Sequence, residues 1–239
     1  MKLISKLTVL LLLCFAIQAS AQLVVTEINS SSDATDDWFE LTNIGSSAID
    51  MTGYGFDDFP ENVDNVAGIL DAAGAGILVQ PGESVVVLEF DTELGTTAAE
   101  QIGEFRTCWG GLDGIQIGFH TGSGLGRDDG VSIFDAASNL VAQEIYFDLS
   151  IDPPLDQHAG ESVGARDIDS AIWDPTTSPS IDTPAGNVFI EPILGENGVI
   201  AACDTGLGSP GAVVGVPEPS SILLIMMAVL GITAYRKRS

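Results

Sequence analysis

The sequence predicts an all-β domain, a sandwich or a barrel, bracketed by an apolar segment at each end. Three observations carry this expectation. Apolar residues in the middle of the chain alternate with period two, the pattern of half-buried strands. The runs are short and closed by turn signals such as Gln80-Pro81-Gly82-Glu83. A single stretch, Thr92 to Glu104, has helical character. Short strands, frequent turns and almost no helix belong to sandwiches and barrels.

Taken in order, Leu23 to Ile28 reads as a first strand, and Asp33 to Asp37 as a polar loop. Trp38 to Asn43 is a second strand, with Trp38 or Phe39 facing the core, followed by a turn at Ile44 to Ser47. Ile49 to Phe56 reads as a third strand, interrupted at Gly53, and Gly76 to Val79 as a short fourth. Ser84 to Phe90 is the strongest strand, built on Val85, Val86, Val87 and Leu88. Ile115 to Phe119 and Val131 to Phe134 flank a glycine-rich loop from Thr121 to Gly130. Leu140 to Phe147 follows a turn at Ala137 to Asn139, and Ser162 to Ala165 is a last short strand. From there to Pro184, proline, threonine and serine dominate, and the stretch reads as loop.

Several of these pieces, in this order, resemble a lamin-tail domain. They are Leu-Val-Val-Thr-Glu-Ile-Asn from Leu23, Asp-Trp-Phe-Glu-Leu-Thr-Asn-Ile-Gly from Asp37, and Ile-Asp-Met-Thr-Gly-Tyr from Ile49. The turn at Gln80 to Glu83, Asp128 to Asp135, Gly160 to Arg166 and a closing Thr183-Pro184-Ala185-Gly186-Asn187 follow in order. The resemblance covers 22–187 and implies an immunoglobulin-like β-sandwich that acts as a binding or adhesion module, with no catalytic residue set. Tyr54 stands where the family often has tryptophan, and a second candidate closing motif, Ser209-Pro210-Gly211, occurs further on. Residues 188–215 are expected as an extension or linker.

The N-terminal end has the three parts of a secretory signal peptide: Lys2 and Lys6, an apolar run from Leu7 to Ile17, and Ala19-Ser20-Ala21. As a helix that run is roughly 16 Å long, too short for a bilayer core of about 30 Å. Ala19 and Ala21 are the residues a signal peptidase reads, so 1–21 is the expected signal peptide, handled by the Sec machinery. At the other end, Val216-Pro217-Glu218-Pro219 leads into an apolar stretch from Ser220 to Tyr235, closed by Arg236, Lys237 and Arg238. That stretch is about 24 Å as a helix, and snorkelling of the terminal basic groups can make up the difference. By the positive-inside rule the basic cluster stays cytoplasmic as a stop-transfer signal and the domain lies across the membrane.

Val-Pro-Glu-Pro, a short apolar helix and a terminal Arg-Lys-Arg resemble the PEP-CTERM sorting signal, here 216–239 with a transmembrane helix at about 220–235. The resemblance implies a Gram-negative bacterium that makes exopolysaccharide. It implies processing by exosortase, a membrane-embedded cysteine protease or transpeptidase, with Pro217, Glu218 and Pro219 as recognition residues. The expected location is an inner-membrane-anchored precursor with its domain in the periplasm, then the cell surface or extracellular matrix.

Charge narrows the partners. All but one of the 34 acidic residues lie between Gln22 and Gly215, against Arg106, Arg127 and Arg166 as the basic residues there. Such a surface repels phosphate backbones and anionic lipids, so nucleic acid is excluded as a partner. The abundant apolar and β-branched residues separate the chain from acidic disordered ones. After the signal peptide, Cys108 and Cys203 remain, an even pair in an exported chain and a candidate disulfide.

No catalytic residues are expected. Carboxylates cluster at Asp33, Asp36 and Asp37, at Asp57, Asp58, Glu61 and Asp64, and at Asp128 and Asp129. Such loops could supply oxygens to Ca²⁺, but none has the spacing of a known calcium loop, so no metal or cofactor site is assigned. His120 and His158 lack partners at zinc-ligand spacing and are expected on surface loops. Gly122-Ser123-Gly124 lacks the frame of a nucleophile elbow, the glycine-rich loop lacks a phosphate-binding lysine, and Cys108 has no histidine at a motif spacing. The expected function is a non-enzymatic exported surface or matrix protein, sorted by exosortase, that binds extracellular polysaccharide or other envelope proteins. Two alternatives are a calcium-dependent carbohydrate-binding module and a secreted hydrolase with an unrecognised carboxylate pair.

Overall fold

A computed structural model of the chain describes residues 22–30, 37–58, 62–90, 96–125, 130–145, 171–173, 189–190, 199–203 and 206–212. In chain order the strands are β1 (Leu23–Asn29), β2 (Trp38–Asn43), β3 (Ile49–Asp50), β4 (Gly55–Asp57), β5 (Ala67–Gly68), β6 (Leu70–Asp71) and β7 (Leu78–Val79). There follow β8 (Ser84–Glu89), helix α1 (Ala98–Trp109), β9 (Gln116–His120), β10 (Gly130–Phe134), β11 (Leu140–Ile145), β12 (Ala171–Trp173), β13 (Phe189–Ile190), β14 (Val199–Ile200) and β15 (Leu207–Gly208).

Seven strands form the larger sheet, in the order β13-β12-β1-β2-β8-β9-β6, and four form a smaller one, β11-β10-β4-β5. The main core lies between them. Val25, Phe39, Leu41, Val85 and Val87 project from the large sheet to meet Phe56, Val131, Ile133 and Ala142 of the small one. The intervening residues Trp38, Val86, Leu88 and Ile117 face the other way, into a second apolar cluster with Ile102, Phe105, Cys108 and Trp109 of α1. The centre of the large sheet is therefore covered on both faces. This is why Val85 to Leu88 reads as an unbroken apolar run rather than an alternation.

The helix is where the structure departs most from the expected pattern. β8 and β9 pair in parallel, a connection that needs a crossover, and α1 supplies it. The expected start at Thr92 moves to Ala98 because Thr97 and Glu100 form a reciprocal capping box. Gln101, Ile102, Phe105, Cys108 and Trp109 carry the buried face past Glu104, and the helix stops at Gly110, whose φ of 63° opens the chain beyond it.

Other differences are shorter. The expected third strand is two, β3 and β4, separated at Gly53, whose φ of 80° breaks the extended path. The stretch read as loop up to Pro184 contains β12, which pairs antiparallel with β1; three residues are too few to show a period. The expected strand Ser162 to Ala165 lies outside the described residues, and β13, β14 and β15 fall within 188–215.

Candidate functional site

A β-bulge builds the most unusual site. Strict alternation from Leu23 and Val25 would aim Glu27 into the main core and turn Ile28 away from it. Instead the register shifts between Val25, opposite Leu41, and Glu27, opposite Glu40. Thr26 is the extra residue. The shift carries Ile28 into the core and puts Glu27 directly across from Glu40 on the other face. Both carboxylates are 1% exposed. Like charges directly opposite on one face repel, and burying them costs more still.

Hydroxyls from three strands and a strap from the C-terminal segment satisfy the pair. Thr26 Oγ1 donates to Glu40 Oε1 at 2.6 Å. Thr42 lies 2.8 Å from Thr26 and Ser84 2.7 Å from Thr42, hydroxyl pairs in which either partner can donate, and Ser84 also hydrogen-bonds the Glu40 carboxyl. The strap is 207–212. Ser209 donates its N–H to Glu27 Oε1 at 2.7 Å and its hydroxyl to Glu27 Oε2 at 2.9 Å, and the Gly211 N–H donates to Glu40 Oε2 at 2.5 Å. Burial first, and the facing Glu27 carboxylate second, push Glu40 from 4.5 up to about 8.

The strap fits only with glycine at two positions. A Cβ at Gly208 would lie 2.9 Å from Glu27 Oε1 and 3.0 Å from the Trp109 ring. Gly211 has a φ of +79°, and a Cβ there would press on Ile115. Pro210 and Gly211 occupy the middle of a turn closed by Ala212 N–H to Ser209 O at 2.9 Å, which suits a proline followed by a positive-φ glycine. A disulfide joins Cys108, near the end of α1, to Cys203, with Cα atoms 4.9 Å apart. The Ala202 N–H donates to the Cys108 carbonyl beside it. The β14–β15 hairpin that leads into the strap is thus pinned to the helix.

Other candidates are dispersed. His120 is not on a surface loop. It ends β9, is 1% exposed, and packs its ring against Phe39 and Phe56 with centroids 5.8 and 4.3 Å away. The isolated histidine concealed this, because β9 places it opposite the aromatic pair only after the crossover. Its Nδ1 accepts the Gly122 N–H at 3.2 Å, and burial lowers its pKa from 6.5 to about 3. Asp57, Asp71 and Asp135 cap backbone rather than converge. Asp57 accepts the Asn62 N–H, Asp71 those of Ala73 and Ala75, and Asp135 those of Ala137 and Asn139. Among the described residues no group of three or more potential ligands could hold a metal ion. Asp33, Asp36, Glu61, Asp128, Asp129 and His158 lie outside the described residues, as do Ala19, Ala21, Pro217, Glu218, Pro219, Arg236, Lys237 and Arg238. Among the described residues no helix is long and apolar enough to cross a membrane, and 220–235 lies outside them.

Sequence reasoning missed Glu27 and Glu40 as a pair. Both stand in strand motifs, and Ser209-Pro210-Gly211 is itself a recognisable turn, but nothing in a linear reading joins residues 27, 40 and 209.

The chain folds mainly as β-sheets, packed as a sandwich around the main core with a helix and a second apolar cluster on the outer face, and this defines an immunoglobulin-like module. The model of the Lamin Tail Domain matches residues 16–147, more than half of the chain, and the protein belongs to that family. A second match, over residues 215–238, is the PEP-CTERM protein-sorting motif, which implies an exported, membrane-anchored precursor processed by exosortase and sorted to the cell surface. No curated protein matches the chain.

Proposed function

We propose that this is a non-enzymatic surface protein of the extracellular layer, whose lamin-tail sandwich binds polysaccharide or other envelope proteins after exosortase has released or transferred it. The observation that carries the reading is the PEP-CTERM motif at 215–238, beginning a few residues after the sandwich's last described turn. Export begins with cleavage after Ala21, and a helix at about 220–235 holds the precursor until Pro217, Glu218 and Pro219 are recognised. The folded module extends from 22 to about 212, since the strap completes the coordination of Glu27 and Glu40. Among the described residues, the facing pair Glu27 and Glu40 favours a binding module over a hydrolase. A glycosidase pair must flank a cleft open to substrate, whereas Glu27 and Glu40 are closed over by the strap.

Intact-mass spectrometry of the protein from its own cells, membrane and medium separately, tests this reading. A mature form from Gln22 to a residue between Val216 and Pro219 supports it. A mass that retains Arg236 to Ser239 in every fraction overturns it and leaves a membrane-anchored sandwich.

A further inference from the structure

We propose that the precursor stands on the membrane by one end of its sandwich, and that this end is a contact surface for lipid headgroups. It is the end that holds Gln22, the turns at 44–47 and 80–83 and the start of β9. The inference rests on the sorting reading, which makes the chain a membrane-held precursor.

Strand register defines the two ends. Leu23 of β1 pairs with Asn43 of β2, Thr42 with Ser84 of β8, and Val85 with Gln116 of β9, and these positions mark one end of the large sheet. Asn29 opposite Trp38, Trp38 opposite Leu88, and Glu89 opposite His120 mark the other. The rise of the seven-residue β1 sets the two about 20 Å apart. Both routes toward the membrane leave from the first end. Gln22, the first residue after the expected signal peptide, accepts the Ile44 N–H at 2.9 Å. At the C-terminal side, a Cβ on Gly211 would press on Ile115, the residue before β9, and the sorting motif begins at 215.

The two ends differ in charge. The acids of 43–50, 78–84 and 110–116 are Asp50, Glu83 and Asp113, and the Arg106 guanidinium reaches the same end through the carbonyls of Leu112 and Ile115. Leu78 is 50% exposed there, its carbonyl accepting the Gln116 side chain at 2.7 Å. α1 starts where β8 ends and returns the chain to the start of β9, so 89–97 belongs to the opposite end, as does 30–37 between β1 and β2. Those two connections hold Asp33, Asp36, Asp37, Glu89, Asp91 and Glu93, and no base.

Anionic headgroups therefore repel one end far more than the other. The potential of a lipid surface decays over about 8–10 Å, so ends about 20 Å apart feel it very differently. The uncharged turns Ile44 to Ser47 and Gln80 to Gly82 bring no charge into the headgroup layer, and Leu78 offers it an apolar contact.

Methyl NMR of the full chain in lipid nanodiscs, with a nitroxide on a fraction of the headgroups, tests the orientation. Leu78 and Ile115 should lose signal several-fold more than Ile28 and Leu88. The difference should widen when phosphatidylglycerol replaces phosphatidylcholine, and narrow again in about 1 M salt, where screening acts within about 3 Å. Disc-bound chain with equal losses at both ends, or with a difference indifferent to lipid charge, overturns the contact surface and leaves the sorting reading standing. Chain that does not insert into the discs at all overturns both.

Discussion

Glu40 and His120 are displaced in opposite directions because burial disfavours an anion in one and a cation in the other. His120, lowered from 6.5 to about 3, stabilises the fold above 6.5; this contribution is lost as pH falls toward 3, because the unfolded chain takes up the proton first. Glu40, raised from 4.5 to about 8, contributes fully below 4.5 and loses that contribution as pH rises to about 8. Each slope is about 1.4 kcal/mol per pH unit at most, and between 4.5 and 6.5 the two oppose each other. His120→Gln should lower the urea midpoint at pH 7, where the ring fills its place between Phe39 and Phe56. The gap to the parent should close as pH falls to 4. Glu40→Gln should show the reverse, gaining on the parent as pH rises from 5 to 9. Urea titrations at several pH values read both, and parallel curves for parent and variant would contradict either account.

At the scale of the element, the C-terminal hairpin and strap depend on a covalent tie and two glycines. The disulfide spans 95 residues of chain. Replacing Cys203 with serine should cost about 2–5 kcal/mol, read as a lower melting temperature that reductant no longer changes. Gly211→Ala should destabilise by about 1–3 kcal/mol, because alanine at positive φ is strained and its Cβ meets Ile115. Gly82→Ala, at a φ of +77° but with open space around it, isolates the backbone part of that cost. Equal effects at the two sites would remove the packing contribution at Gly211.

Which elements the sequence revealed follows from the same physics. β2 and β8 were legible as strands from their aromatic and β-branched runs, but the facing of Val85 to Leu88 was not, because that run is apolar on both buried faces. β1 was legible as a strand but not in its facing, because the bulge at Thr26 reverses the parity of Glu27 and Ile28. β5, β6, β12 and β15, at two or three residues each, are too short for any period to show and exist only because a neighbour offers hydrogen bonds. The Glu27–Glu40 site required Ser209, 182 residues from Glu27, and such a pairing is set by the fold alone.

For the whole molecule, the acidic surface sets behaviour in solution. With nearly all of its charge of one sign, the sandwich repels itself, and salt should stabilise it by screening. Asp57, Asp71 and Asp135 accept backbone amides and no described group of acids converges as a metal site, so Ca²⁺ should raise the melting temperature no more than sodium chloride of equal ionic strength. A larger rise in calcium, reversed by chelator, would favour the calcium-dependent carbohydrate module instead. The strap also sets a mechanical limit. With Gly211 fixed to the sheet, four peptide units after Ala212 reach Val216, a span of about 14 Å at full extension whatever path the chain takes. On the sorting reading, the module is therefore moored rather than trailing. Any enzyme that cuts at Pro217 to Pro219 must work in the narrow gap beneath the sandwich, and its shape there is selected by the module as much as by the motif.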